Sequence, residues 1–319
     1  MLRSLFIALS KAYWAQRWIS RWGLAWRVAS RFIAGETVEQ ALRAVQVLNQ
    51  QGLLATLDQL GENTQTVQDA EQAAQGILHL LEEIERAGVQ ANVSVKLSQL
   101  GLVIDPQLAV RHLRQIVEKA RQLNNFIRVD MEDSTLTDAT LKIVADLRDS
   151  GLDNVGTVIQ SYLYRSMEDT QKLIERSIKI RLVKGAYQEP PHLAYPKKRD
   201  VDAAFDRLSD LLIDTSLRFD YLPATASGRF PPLAAIATHD EKRIEHAIQR
   251  AKSCGLPVER LEFQMLYGIR RDLQLALVKQ GYPVRIYVPF GTHWYPYFMR
   301  RLAERPANVW FFVSNFFQR

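Results

Sequence analysis

Along this chain, short β-rich runs alternate with longer stretches whose apolar residues recur at helical spacing. The β-rich runs are Leu53–Leu57, Val93–Leu97, Phe126–Met131, Gly156–Ser161, Ile178–Lys184, Ala234–Thr238, Leu261–Met265 and Arg285–Val288. Helical patterns fill the intervals: Val67–Arg86, Pro106–Leu123, Asp138–Asp149, Met167–Arg176, Val201–Arg218, Lys242–Cys254, Asp272–Gln280 and Tyr297–Glu304. A further helix opens after Gly35, where Thr37 and Gln40 are spaced as a capping box. Eight strands alternating with helices form the pattern of a closed parallel barrel, whereas an open doubly wound sheet usually has fewer units. The expected architecture is one α/β domain, a (βα)8 barrel over residues 51–306 with helices in 1–50 before it and a segment 307–319 after it. Barrel-interior positions are expected to be mainly Val, Ile and Leu. The loosest segment is Phe219–Pro232, with three prolines and Ser227-Gly228, which reads as an extended surface loop.

Composition narrows the picture modestly. A hydrophobic content of 47% is ample for a large core, and 24% charged residues is ordinary for a soluble protein. The single cysteine, Cys254, rules out an intrachain disulfide framework and a Cys-rich zinc site, and suits a reducing compartment. A net charge of +6 is too small to imply nucleic acid as a partner. Its distribution says more. Between Met1 and Gly35 there are six basic residues and no acid, with Trp14, Trp18, Trp22 and Trp26 on one helical stripe. That stripe suits either a membrane surface or packing on the domain itself. No run approaches the roughly 20 apolar residues that span a bilayer. The expectation is a cytoplasmic protein, with peripheral contact at the inner face of the membrane as a candidate.

Chemistry in such a barrel gathers at the C-terminal ends of the strands. Those positions hold Lys96, Asp130, Gln160, Lys184, His239, Gln264 and Tyr287. Each has a plain structural reading: Lys96 and Asp130 as an ion pair, Lys184 reaching solvent, Asp240 after His239 as a helix N-cap, Tyr287 as a core tyrosine. Their shared placement is what points to a site. After the last strand, Arg300 and Arg301 lie about 100° apart on a helix. Two guanidiniums there suit a carboxylate held in fork geometry, and an Arg300–Glu304 surface pair is the alternative. No G-x-G-x-x-G or G-x-x-x-x-G-K-[ST] occurs, so a nucleotide cofactor would be held without those loops.

The runs Val95-Lys-Leu-Ser-Gln-Leu-Gly, Arg128-Val-Asp-Met-Glu-Asp-Ser, Val158-Ile-Gln-Ser-Tyr-Leu-Tyr-Arg, Arg181-Leu-Val-Lys-Gly-Ala-Tyr and Phe263-Gln-Met-Leu-Tyr-Gly resemble proline dehydrogenases. So do Arg285-Ile-Tyr-Val-Pro-Phe-Gly and Tyr297-Phe-Met-Arg-Arg-Leu-Ala-Glu-Arg-Pro, and the likeness runs from about Arg31 to Pro306. It is to the monofunctional bacterial form, since no aldehyde dehydrogenase domain follows. The resemblance implies a distorted (βα)8 barrel with its final helix over the mouth, binding FAD without a covalent link. It implies that Arg300 and Arg301 clamp the carboxylate of L-proline, assisted by Lys96. Tyr287 and Leu266 would line the ring pocket, and Tyr187 would cover its exposed side. Glu62 would pair with the first arginine over bound substrate. Asp130 and Arg181 would serve the reaction beside the flavin. Met131, Gln160, Val183, Lys184 and Gly185 would contact the cofactor, with Thr238 and His239 towards its pyrophosphate or adenosine part. The implied acceptor is a quinone, and a pyrroline-5-carboxylate dehydrogenase is the implied partner. The Phe219–Pro232 loop, longer than expected for compact members, would alter the helix before the adenosine end of FAD and leave the substrate pocket intact.

Three other readings of the residues stand beside it. Lys184 or Lys96 as a Schiff-base nucleophile would make the barrel a lyase. A barrel that binds a small acid without turning it over would be a carrier or sensor. A metal hydrolase is weaker, because the six histidines are scattered without H-x-H or H-E-x-x-H spacing.

Overall fold

The computed structural model describes residues 23–61, 64–218 and 227–304. Trp14, Trp18, Trp22, Glu62, the first part of the Phe219–Pro232 loop and the aromatic run from Trp310 lie outside them. In chain order the elements are α1 (Gly23–Ala29), α2 (Val38–Gln50), β1 (Leu54–Gln59), α3 (Val67–Ala87), β2 (Ala91–Val95), α4 (Pro106–Gln122), β3 (Ile127–Val129), α5 (Ser134–Asp149), β4 (Val155–Gln160) and α6 (Ser166–Glu175). They continue with β5 (Lys179–Val183), α7 (Lys198–Arg218), β6 (Ala234–Ala237), α8 (Glu241–Cys254), β7 (Leu261–Leu266), α9 (Arg271–Lys279), β8 (Val284–Phe290) and α10 (Trp294–Glu304). Each expected strand is present, with no end shifted by more than two residues.

The helices start where the sequence carries capping chemistry. Thr37 and Gln40 form the expected box, Thr66 and Asp69 a second one, and Asp105, Asp133 and Asp240 each accept a first-turn N–H. The eight strands close into a barrel in sequence order, every pair parallel. Closure is made by β1 against β8, from Leu54 beside Arg285 to Gln59 beside Phe290. Outward-facing strand residues such as Leu57, Val93, Val129, Ile180, Ile236 and Val288 are fully buried under the helical layer. They form the main core with the apolar faces of the helices.

The bore of the barrel departs from the expected aliphatic filling. Alternation turns Thr56, Asp58, Asn92, Ser94, Arg128, Arg181, Glu262, Gln264 and Arg285 inward, and all are buried. Such a bore is tolerable because most of these polar atoms find partners in one another or in backbone carbonyls. Arg285 forks onto Glu262 with two bonds of 2.9 Å and also donates to the carbonyls of Ala55 and Gly228.

The base of the barrel is shut by residues 227–232, and this described part of the proline-rich segment is not a surface loop. Gly228, Arg229, Pro231 and Pro232 are buried. Asn92 and Arg285 donate to the carbonyls of Arg229 and Gly228, and the Phe230 ring sits edge-on to Phe126. This plug lies at the N-terminal ends of the strands, opposite the mouth. Here Lys179 rests over the rings of Phe126 and Phe230. Burial, with Arg128 nearby, lowers its ammonium pKa to about 8.

At the other end, α10 folds back over the mouth as expected. Trp294, Tyr295, Tyr297, Phe298, Met299 and Leu302 form a second apolar cluster with Val28, Ala29, Phe32 and Ile33, and Leu266 and Tyr287 pack against it. Trp26 and Trp294 meet at 5.4 Å, so the last tryptophan of the N-terminal stripe packs on its own domain. Ala34 and Gly35 are tied by backbone bonds to Pro289 and Gly291. Gly268, at φ +74°, lies so close to Arg31 that a Cβ there would fall 1.6 Å from the Arg31 carbonyl oxygen.

Candidate active site

Four of the strand-end candidates, Lys96, Asp130, Gln264 and Tyr287, are joined in one network with Arg181 by residues that strand-end reading missed. The Lys96 ammonium contacts both oxygens of Asp58, at 3.1 and 3.0 Å, and not Asp130. The Tyr287 hydroxyl lies 2.6 Å from Asp58 Oδ2 and 2.8 Å from Asp130 Oδ2. Arg181 donates to Asp130 Oδ1 at 2.8 Å, to Ser94 Oγ at 3.2 Å and through Nε to Gln264. Gln264 then donates to Glu262, which holds Arg285. A polar chain therefore climbs the bore from base to mouth. Its acids are almost wholly enclosed: the Asp58 side chain is 1% exposed and Asp130 12%.

The proton count in this network is constrained. Tyr287 has one hydroxyl hydrogen, yet two carboxylate oxygens stand within hydrogen-bond distance of it. The second contact needs a proton on an acid. Burial holds the Asp58 carboxyl above the usual carboxylate range, with Lys96 opposing and Asp130 adding to the shift. Burial and the two acids also push the Tyr287 hydroxyl well above its ordinary value. That shift disposes Asp58 towards the protonated form.

The remaining candidates fall into three groups. Gln160 is fixed by its side chain, donating to the Glu132 carbonyl at 2.9 Å and accepting from Ala186 N–H at 3.4 Å. Lys184 points away from the bore, held by Asp202 at 2.5 Å and Asp240 at 2.6 Å. Thr238 accepts from the Asp240 N–H, and His239 Nε2 accepts from the Leu266 N–H at 3.0 Å, which leaves the ring proton on Nδ1. Met131 is buried beside Asp130 in sequence, and Tyr187 is half-buried in the loop after β5. Arg300 and Arg301 are half-buried on α10, with Arg301 5.1 Å over the Tyr297 ring. Glu62 lies outside the described residues. Among the described residues no group of three or more His, Cys, Asp or Glu is placed to hold a metal ion. Both candidate nucleophilic lysines are committed to acidic side chains, unlike the desolvated lysine beside another cation that Schiff-base chemistry uses.

The mouth presents small and aliphatic side chains beside its polar network. The inward-facing positions of β6 are only Ala235 and Ala237. Ala237 and its neighbours Val183 and Leu266 keep partial exposure although the strands around them are buried. Three small or aliphatic side chains on adjacent strands form an apolar shelf, with the Arg181 cation below it and the Gln160 amide at its edge. Gly185, at φ +122°, lets the chain turn closely past the Tyr162 ring, which a Cβ would meet at 2.3 Å.

A closed parallel barrel, an acid–base network rising to its C-terminal mouth and an arginine pair on the helix above define a (βα)8-barrel enzyme. The chain belongs to the proline dehydrogenase family, whose model matches residues 41–313. It is 39% identical over 291 residues to proline dehydrogenase 1 of Bacillus subtilis subsp. natto, covering 91% of each chain. It is 42% identical over 292 residues to the proline dehydrogenase of Deinococcus radiodurans, covering 90% of this chain and 89% of that one. Among solved structures it is similar to proline utilization A from Bdellovibrio bacteriovorus inactivated by N-propargylglycine, with a TM-score of 0.77 and 24% identity. That alignment covers 88% of this chain and 33% of the other, and speaks for the fold alone.

Proposed function

We propose that this chain oxidises L-proline to 1-pyrroline-5-carboxylate with FAD at the barrel mouth and a quinone as the final acceptor. The observation that carries the reading is the Lys96–Asp58–Tyr287–Asp130–Arg181 network lying under an apolar shelf and an arginine-bearing helix. Bound FAD would take a hydride from C5 of the ring, and that redox chemistry belongs to the cofactor. The chain's own residues orient the substrate. Arg300 and Arg301 fork onto the carboxylate, which a lysine's point charge cannot do as well, and Lys96 adds a second cation from below. Tyr287 and Leu266 bound the ring, Tyr187 covers it, and Glu62 closes on the first arginine. Holding a small rigid ring by one end fixes where its other end lies. Arg181, paired with Asp130, supplies positive field where negative charge gathers. The amine must be unprotonated to react, and its proton leaves to water through the mouth.

Met131, Gln160, Val183, Lys184, Gly185, Thr238 and His239 are the residues we assign to the cofactor. Val183 supplies shelf surface, Gln160 an amide edge, and Lys184 charge shared with Asp202 and Asp240. The product's aldehyde form is the substrate of a pyrroline-5-carboxylate dehydrogenase, the partner this reading implies on the route to glutamate. No helix among the described residues is long and apolar enough to cross a membrane, so contact with a membrane-held quinone would be peripheral. The test is an absorbance spectrum before and after anaerobic L-proline. Flavin bands that bleach with proline and return with a quinone are expected. Bands indifferent to proline, or a protein that FAD cannot reconstitute, would overturn the reading.

A further inference from the structure

The loop between β5 and α7, residues 184–197, carries Tyr187 and is tied down unevenly. Its outer part is bound to the loop after β4. Leu163 and Ala194 form an antiparallel bridge, Tyr164 N–H donates to the Leu193 carbonyl at 3.0 Å, and Tyr195 N–H donates to the Tyr162 carbonyl at 2.7 Å. The Tyr164 hydroxyl donates to the Pro191 carbonyl, and the Tyr164 and Tyr195 rings meet edge-on at 4.6 Å. At the inner end the Ala186 N–H reaches Gln160 at a long 3.4 Å. Between these anchors stands Glu189, two residues beyond Tyr187 and the only acid of the loop.

Glu189 crosses to a different element. One carboxylate oxygen accepts the backbone N–H of Ser134 at 2.8 Å, and the other accepts the Ser134 hydroxyl at 2.5 Å. Ser134 is the first residue of α5, where N–H groups lack intrahelical acceptors and negative charge is favoured. The N-cap, Asp133, is already spent on the Thr135 N–H, so Glu189 takes the neighbouring donor. The same device appears one loop earlier, where Glu132 accepts both the N–H and the hydroxyl of Ser98. The loops after β2, β3 and β5 are thereby laced together across the mouth. The chain already supplies both partners of this latch, so no ligand is required to form it.

The geometry points to Glu189 as the residue that positions Tyr187 over the substrate, by fastening the β5–α7 loop to the N-terminus of α5. The inference rests on the proline-oxidising reading and assigns Glu189 no contact with substrate or cofactor. Released from Ser134, the stretch from Gly185 to Glu189 loses its charge-assisted tie to α5, and Tyr187 is held less firmly above the ring. Binding suffers more than the chemical step, because the barrel network and the arginine pair are untouched.

The experiment is steady-state kinetics on the flavin-loaded enzyme. Glu189→Ala is expected to raise the KM for proline about tenfold, the scale of one charge-assisted hydrogen bond, with kcat changed by less than about twofold. Glu189→Gln, whose amide oxygen still accepts the Ser134 N–H, is expected to recover most of the loss. Ser134→Ala removes only the hydroxyl bond and should shift KM the same way by less. The decisive arm is a Tyr187→Ala background, in which Glu189→Ala should add nothing. An equal KM increase in that background, or an unchanged KM in the wild-type background, would overturn the positioning role while leaving proline oxidation intact. A wild-type chain that does not oxidise proline would overturn both readings together. Should Glu189→Ala fail to fold, the Ser134→Ala and Tyr187→Ala pair gives the same test of additivity.

Discussion

Tyr287 stands between Asp58 and Asp130 with a single hydrogen to give, and the consequence is a pH-dependent stability. Asp58 has a folded pKa raised chiefly by burial. A raised acid contributes stability that is full below its unfolded value near 3.9 and is lost as pH rises through the folded value. Asp58→Asn carries a permanent donor for the Tyr287 oxygen and an acceptor for Lys96. Its stability relative to wild type should therefore increase as pH rises from the acid range to neutrality, measured by urea unfolding at several pH values. A constant difference would mean that Asp58 is ionised throughout. The sequence reading stopped β1 at Leu57 and so missed Asp58 by one residue. Pairing Lys96 with Asp130 was equally reasonable from spacing alone, because the stagger of a tilted barrel decides which strand ends face each other. Period-two alternation carried a usable signal, since Ser94, Arg128, Arg181, Glu262, Gln264 and Arg285 all fall on the inward parity.

The plug at the base shows an element that composition disguised. Three prolines and Ser-Gly read as surface loop, yet Gly228 and Arg229 present carbonyls to inward-facing Arg285 and Asn92. That use depended on polar groups in the bore, which local pattern cannot match to a distant loop. The same element places Lys179 between two aromatic rings with its pKa lowered to about 8. A depressed lysine favours folding fully above its unfolded pKa, and that contribution is lost as pH falls through 8. At pH 7 the burial cost amounts to something on the order of 3 kcal/mol. Lys179→Met keeps the aliphatic stem and removes the charge. It should be more stable than wild type at pH 7, with the advantage shrinking towards pH 10, as read by denaturant unfolding. An advantage independent of pH would show that packing, not charge, is responsible. The strands and helices, by contrast, were legible because their signals are local: periodicity, Thr and Asp caps, and Pro106 at a first turn.

On the scale of the whole molecule, the mouth is built by chain segments from both ends of the barrel. Residues 28–36 and α10 share one apolar cluster, and Trp294 Nε1 donates to Glu36 at 3.1 Å. Gly268 is where the loop after β7 touches this assembly most closely. Gly268→Ala combines a left-handed backbone with a collision against Arg31. We expect it to cost about 2 kcal/mol or more, lowering Tm by several degrees, and to raise the proline KM because α10 shifts with its support. An unaltered Tm would show that residues 30–33 are free to move aside. The base plug bears on traffic through the same entrance. With the far end sealed, the bore is a cup and not a tube, so arrivals and departures share one doorway. On the proposed function, electron donor and electron acceptor would then queue at that doorway, and turnover would be a sequence of visits instead of a meeting.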